Sequence, residues 1–170
     1  MFKGWENFFL LIGGASGSLI GLLFIVATLF SGRDRDRVLQ AGAIYSTPTV
    51  FKLAIVLVLS GVAMTPVAGA WPMGLLLVVV SLIGIVYSCL GLVRFRRFSH
   101  EDQPHWSDCW LYCAAPLALY LALGFGATLI WLDRPLAAPV VAGVLMLMLL
   151  LAIRNAWDLV TWLSPRPPAP

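Results

Sequence analysis

Four side chains near two apolar segments are the first candidates for chemistry: Lys52, Arg154, Asn155 and Asp158. An ionisable residue inside a membrane span costs about 2.5–3.5 kcal/mol at the centre, so it faces protein, water or the interface. On a helix, Arg154, Asp158 and Thr161 share one stripe at i, i+4, i+7. Arg154 suits the negative end of a helix dipole, whereas Asp158 opposes it and calls for a cation. The candidates are Arg154 itself, Lys52 and a neighbouring subunit. The cluster reads first as an interfacial anchor with a structural salt bridge, and second as a polar vestibule or ion-binding ring. The span count places it at the edge of the apolar segment.

A second group, His100, His105, Cys109 and Cys113, lies in one connecting segment. If a helix begins after Pro104, His105, Cys109 and Cys113 fall on one face. His and Cys ligate zinc or copper, but this set lacks the usual ligand spacing of a structural zinc site. These three are weak metal candidates, and we expect neither metal nor cofactor. Polar loop residues and small apolar thiols account for them as well. No Ser-His-Asp, Cys-His or paired-carboxylate arrangement stands out, so an enzyme is not expected. Gly13-Gly14-Ala15-Ser16-Gly17 is no phosphate loop, because it sits in an apolar run with no Lys-Ser/Thr after it. Arg33-Asp34-Arg35-Asp36-Arg37 is nearly self-neutral and fits a solvated loop meeting headgroups. It is too small a basic surface for nucleic acid.

The elements that must position these residues follow from composition. The 170 residues are 61% hydrophobic and 11% charged, against about 25% charged in soluble domains. A surface so poor in charge excludes a soluble domain and disorder. Five apolar spans are predicted, over about 8–30, 50–70, 73–93, 110–131 and 136–163. Gly69-Ala70-Trp71-Pro72 is expected to be a tight turn, and Asp133-Arg134-Pro135 to close the fourth span. The runs are too long and continuously apolar for barrel strands. The first run holds 23 uncharged residues, too long for a signal-peptide core, and is expected to be a retained anchor. The fold class is therefore all-α: an integral membrane bundle of five transmembrane helices with no soluble domain. Residues 1–163 form the helical domain and 164–170 a Pro-rich tail.

Five crossings put the termini on opposite sides. Nine cationic residues gather on or near one side (Arg33, Arg35, Arg37, Lys52, Arg94, Arg96, Arg97, Arg154, Arg166) and two, Lys3 and Arg134, on the other. The positive-inside rule makes the first side cytoplasmic, with the N-terminus outside. Trp5, Trp71, Trp110, Trp131, Trp157 and Trp162 fall near span ends, as an aromatic belt requires.

Small residues recur at helical spacing: Gly13, Gly17 and Gly21, with Gly14 and Ser18 beside them; Ser81, Gly84, Ser88 and Gly91; Ala115, Ala118 and Ala122. In lipid, packing depends on such close approach. These seams join helices within one chain, or one of them joins subunits or lines a pore.

Gly21-Leu22-Leu23-Phe24-Ile25-Val26, Thr47-Pro48-Thr49-Val50 and Arg154-Asn155-Ala156-Trp157-Asp158 resemble an uncharacterised bacterial family of small multi-pass inner-membrane proteins. The resemblance covers most of the chain and implies architecture and the bacterial inner membrane, without implying chemistry. On the residues themselves, the expected function is a homo-oligomeric channel or translocation subunit with a polar cytoplasmic mouth. The alternative is an accessory or assembly protein that binds another membrane protein through small-residue faces, and the third reading is an intramembrane enzyme. Partners are the lipid bilayer and either further copies or another membrane protein.

Overall fold

The structure is a computed structural model that describes residues 2–30, 47–65, 69–98 and 114–163, with side chains except at 30, 47, 93–98 and 159–163. Among the described residues it is all-helical. The five helices are α1 (Glu6–Phe30), α2 (Thr47–Met64), α3 (Ala70–Phe98), α4 (Ala115–Trp131) and α5 (Ala137–Leu163). Three of them, α1, α3 and α5, are long and apolar enough to cross a membrane, which marks this as a membrane protein. The other two are shorter apolar helices.

Proline sets four of the five starts. Pro48, Pro72, Pro116 and Pro139 each fall at the second or third residue of α2, α3, α4 and α5. In a first turn the missing N–H has no intrahelical partner to lose, and the fixed φ suits a helix. This corrects the expected turn at Gly69–Pro72. Gly69 instead precedes α3, its carbonyl accepting from the Met73 N–H at 3.3 Å. Proline also shortens the second span, expected over 50–70. Thr65 precedes Pro66, a position that disfavours helical backbone, and α2 stops at Met64. The Thr65 hydroxyl and N–H both bond to the Val62 carbonyl, at 2.6 and 3.1 Å. The fourth helix is described from Ala115, and residues 110–113, where it was expected to begin, lie outside the described residues.

Asp133-Arg134-Pro135 does close α4. The Asp133 N–H bonds to the Ile130 carbonyl (3.1 Å) and the Arg134 N–H to the Leu129 carbonyl (2.9 Å). Asp133 has φ +50°. This is a Schellman closure with aspartate where glycine is commonest. At the other terminus, Phe2 folds back so that its ring meets Phe9 edge-on at 5.1 Å. The Glu6 carboxylate accepts from the Gly4 N–H at 2.7 Å, at the positive end of α1.

Two antiparallel hairpins, α1–α2 and α3–α4, are bridged by α5, which packs on α4, α2 and α1. Its apolar span is 56% buried, against 28% for α1 and 22% for α3, so α5 is the central helix. Its inward stripe runs through Ala138, Val141, Ala142, Leu145, Met148 and Ala152 to Asn155.

The small residues carry the hairpins. In α1–α2, Gly13 lies against Ser60 and Gly17 against Leu57, while the Ser16 hydroxyl donates to the Leu53 carbonyl at 2.6 Å. In α3–α4, Gly84 lies under the Tyr120 ring and Gly74 under the Trp131 indole. The Ser81 hydroxyl donates to the Tyr120 carbonyl at 2.7 Å, and Gly124 faces Ser81. Gly126 gives Val141 of α5 its room. Of the expected alanine seam of α4, Ala122 packs partly buried against the core whereas Ala118 is exposed, and glycine makes the closest contacts.

A methyl group at Gly84 would collide with the Tyr120 ring, whereas at Gly91 it would meet open space. Overpacking of this kind costs about 1–3 kcal/mol. Gly84→Ala should therefore lower the thermal midpoint in detergent, and Gly91→Ala should leave it unchanged.

Candidate functional site: a buried lysine and asparagine

Among the described residues, the buried polar side chains are hydroxyls apart from two, Lys52 (4% exposed) and Asn155 (0%). They meet each other. Lys52 sits one turn into α2, next to the buried Thr49, and Asn155 ends the inward stripe of α5. Two orientations of the Asn155 amide fill the same outline, and one of them gives both of its ends a partner. In that orientation Oδ1 accepts from Lys52 Nζ at 2.7 Å and Nδ2 donates to the Leu151 carbonyl at 3.3 Å. The second bond, one turn back along α5, fixes the amide so that its oxygen points at the cation. A hydrogen bond to a charged group is short and strong, and the low-dielectric interior raises the cost of breaking it.

Depth follows from the neighbours. Ser16 of α1 bonds beside Lys52, at Leu53, and α1 continues uncharged to Phe30, roughly 20 Å further at 1.5 Å per residue. The Phe51 ring lies 5.7 Å from Tyr87 of α3, and the first arginine after Tyr87 is Arg94, about 10 Å on. Lys52 thus stands well inside the apolar segments, which corrects its expected place at their edge. The count along a single span misjudged this because α2 begins deeper than its neighbours end.

The four expected residues divide into two sets. Lys52 and Asn155 are buried together. Arg154 is exposed and Asp158 partly buried, with Arg154 Nη2 3.9 Å from Asp158 Oδ2 and side chains 51% and 32% exposed. At that distance and exposure an ion pair contributes about 0–1 kcal/mol. Of the expected packing residues, Gly13, Gly17, Ser81 and Gly84 face a neighbouring helix and Ser88 is buried, whereas Gly21 and Gly91 face open space. His100, His105, Cys109, Cys113, the Arg33–Arg37 loop and the tail 164–170 lie outside the described residues, as does the Thr161 side chain. Sequence reasoning missed Ser16, Ser60, Gly74, Gly124 and Tyr120 as packing residues. Gly124 and Gly126 were the readable signal, since two glycines inside one apolar helix call for close neighbours.

Chemically, the pair presents a cation whose neighbouring amide neither gives nor takes a proton at ordinary pH. It can hold a charge in place and tie α2 to α5, but Asn155 cannot relay a proton. No group of three His, Cys, Asp or Glu side chains capable of holding a metal occurs among the described residues. No protein-family model, curated protein or solved structure matches the chain.

Losing the acceptor removes a hydrogen bond to a charged group, so Asn155→Leu should cost about 1.5–3 kcal/mol of stability. Lys52→Met removes the charge that needs the acceptor. The double variant Lys52→Met/Asn155→Leu should therefore be more stable than Asn155→Leu alone. Arg154→Ala should change stability by less than about 1 kcal/mol. Thermal unfolding of the four proteins in one detergent checks the order.

Proposed function

We propose that the chain is a small polytopic membrane protein with all five helices across the bilayer, and that it serves as an accessory or assembly subunit binding another membrane-embedded chain. The observation that carries this reading is the filled interior. Phe9, Ile12, Leu53, Val56, Leu59, Met73, Leu77, Leu123, Leu145 and Met148 are at most 1% exposed, and the serines Ser16 and Ser81 are bonded to backbone of the adjacent helix. A bundle whose axis is apolar and packed offers its outside for work. On α1, a Cβ added at Gly14 or Gly21 would meet nothing within 4 Å, and Ser18 lies between them in the chain. Small residues of this kind let a second helix backbone approach closely.

Five crossings are supported by length and by the tryptophan pair at one end of the bundle. The 18 residues of α2 and 17 of α4 reach about 27 and 26 Å, the short end of the spanning range. Trp71 and Trp131 pair at 5.6 Å where α3 begins and α4 ends, the level at which an aromatic belt would meet one face of a bilayer. With the cationic residues weighted to the Leu163 end, the C-terminus is cytoplasmic and the N-terminus outside. The resemblance of the three short motifs suggests the bacterial inner membrane.

A homo-oligomeric channel is the second reading, favoured by the charge of Lys52 at depth. Its conduit would have to run between copies.

Purified protein in liposomes separates the two readings. The accessory reading expects no ion flux across pH and voltage, together with photo-crosslinks to a discrete partner from Gly14 and Gly21 but not from Ile83 of α3. Flux whose selectivity changes with Lys52→Ala would establish the channel and remove the accessory role. A reporter fused after Pro170 should be active only in its cytoplasmic form, and a periplasmic signal would break the five-crossing topology.

A further inference from the structure

The five helices fall into two units. α1, α2 and α5 pack on one another, and α3 packs on α4. The units meet chiefly where α4 lies on α5, and more thinly where α3 passes α2. The interhelical bonds of Ser16 and Ser81 and the Lys52–Asn155 contact each lie inside one unit. So do the close approaches of Gly13 to Ser60 and of Gly84 to Tyr120. Across the boundary, Val141 of α5 lies against Gly126 of α4, and the Phe51 ring of α2 stands 5.7 Å from the Tyr87 ring of α3.

Chain connectivity makes this boundary unequal from end to end. The two links that cross it, 65–69 and 132–136, are five residues each and lie at the end where Trp71 meets Trp131. The links at the other end, 31–46 and 99–114, each join helices of the same unit. Where α2 begins and α5 finishes, the units therefore have no covalent tie. There the thin seam holds the Phe51–Tyr87 ring pair, and Tyr87 is 40% exposed. Lys52 lies behind it. Phe51 faces α3, and Lys52, next in the chain, is turned by about 100° to meet Asn155 of α5. Parting α3 from α2 would uncover the inner side of α2 and its ammonium. In lipid such a seam is held by packing without a hydrophobic drive, and a charge behind it favours water on that side.

We propose that the α3–α4 hairpin is a jaw that pivots at its two short links and parts from α2 at the Lys52 end, admitting water to the ammonium while the Lys52–Asn155 contact stays intact. Rigid units turning on a few link residues are a common form of conformational change. The opening does not depend on the accessory role, which concerns the outer face of α1.

The chain has two lysines, Lys52 and the exposed Lys3. A water-soluble amine-acylating reagent therefore reads the opening by peptide mass spectrometry, with Lys3 as the internal reference. The full-length chain is used in lipid nanodiscs, with Cys89, Cys109 and Cys113 replaced by Ser. Phe51→Cys/Tyr87→Cys, bridged by a short bifunctional maleimide, locks the seam. Ser81→Cys/Gly124→Cys locks the hairpin internally instead, since a Cβ at Gly124 would stand 3.6 Å from that of Ser81, within disulfide reach. Relative to the same variant unbridged, the seam lock should slow acylation of Lys52 by about tenfold and the hairpin lock by less than about twofold, as for access through a local opening. Equal slowing by both locks would mean that Lys52 is reached by unfolding of the whole bundle. No slowing by the seam lock would mean a path elsewhere. Either result overturns the proposal, as does a Lys52 that is never acylated in the unbridged protein. A second measurement needs no lock and covers a bridged variant that fails to fold. Spin labels at Val50→Cys and Leu90→Cys should show a broad distance distribution, and labels at Met64→Cys and Leu75→Cys, near the links, a narrow one. Equal widths at the two ends would also overturn the pivot.

Discussion

The bundle depends on satisfying a lysine inside an apolar interior. In lipid there is no hydrophobic drive to hold helices together, and a charge without partners is the costliest group to leave there. The Lys52 ammonium meets the Asn155 oxygen at 2.7 Å, and that bond ties the start of α2 to the far end of α5. Because α5 packs on α4, α2 and α1, fixing its rotation fixes which stripe lies inward. If Asn155 faces Lys52, then Ala152, Met148, Leu145 and Val141 also face the core, and Arg154 is turned outward. One polar contact thus selects the register of the central helix, which apolar packing alone specifies weakly.

The hairpins are held differently. Each uses glycine to bring backbones close and serine to bond a neighbour's carbonyl: Ser16 to Leu53 and Ser81 to Tyr120. Ser60, by contrast, is buried with no hydrogen-bond partner for its hydroxyl, directly across from Gly13. Its place there is explained by size. A larger side chain would separate α1 from α2, so closeness takes precedence over hydroxyl satisfaction at that level. The single-chain use of Gly13, Gly17, Ser81 and Gly84 leaves Gly14, Gly21 and Gly91 open, and these separate the residues that build the fold from those free to meet other molecules.

Much of this was legible in the sequence. Composition pointed to an all-helical membrane protein, and the helix order follows the apolar runs. The boundaries were less legible where proline was involved: Pro72 looked like a turn because proline opens helices as readily as it ends them, and position alone does not distinguish the two. Lys52, Arg154, Asn155 and Asp158 were recognisable as one constellation because polar residues are so rare here. Their pairing was not, because a single-helix pattern places Arg154 with Asp158 but says nothing of how α2 and α5 rotate against each other. Charge drew attention to Asp158, while the deeper interaction uses the uncharged Asn155.

That preference has a physical basis. An aspartate at position 155 would pair more strongly with Lys52 in isolation, but it would also remove a second ion from water. Buried ion pairs often fail to recover that desolvation cost. An asparagine presents a carbonyl oxygen with no charge of its own to desolvate, and its amide finds the Leu151 carbonyl within the same helix. The carboxylate of this region sits instead at 158, one turn on from Arg154 and 3.9 Å from its guanidinium. Along one turn of α5, then, a neutral acceptor faces inward to fix the helix, while the guanidinium of Arg154 lies on the exposed side and pairs along the helix with Asp158.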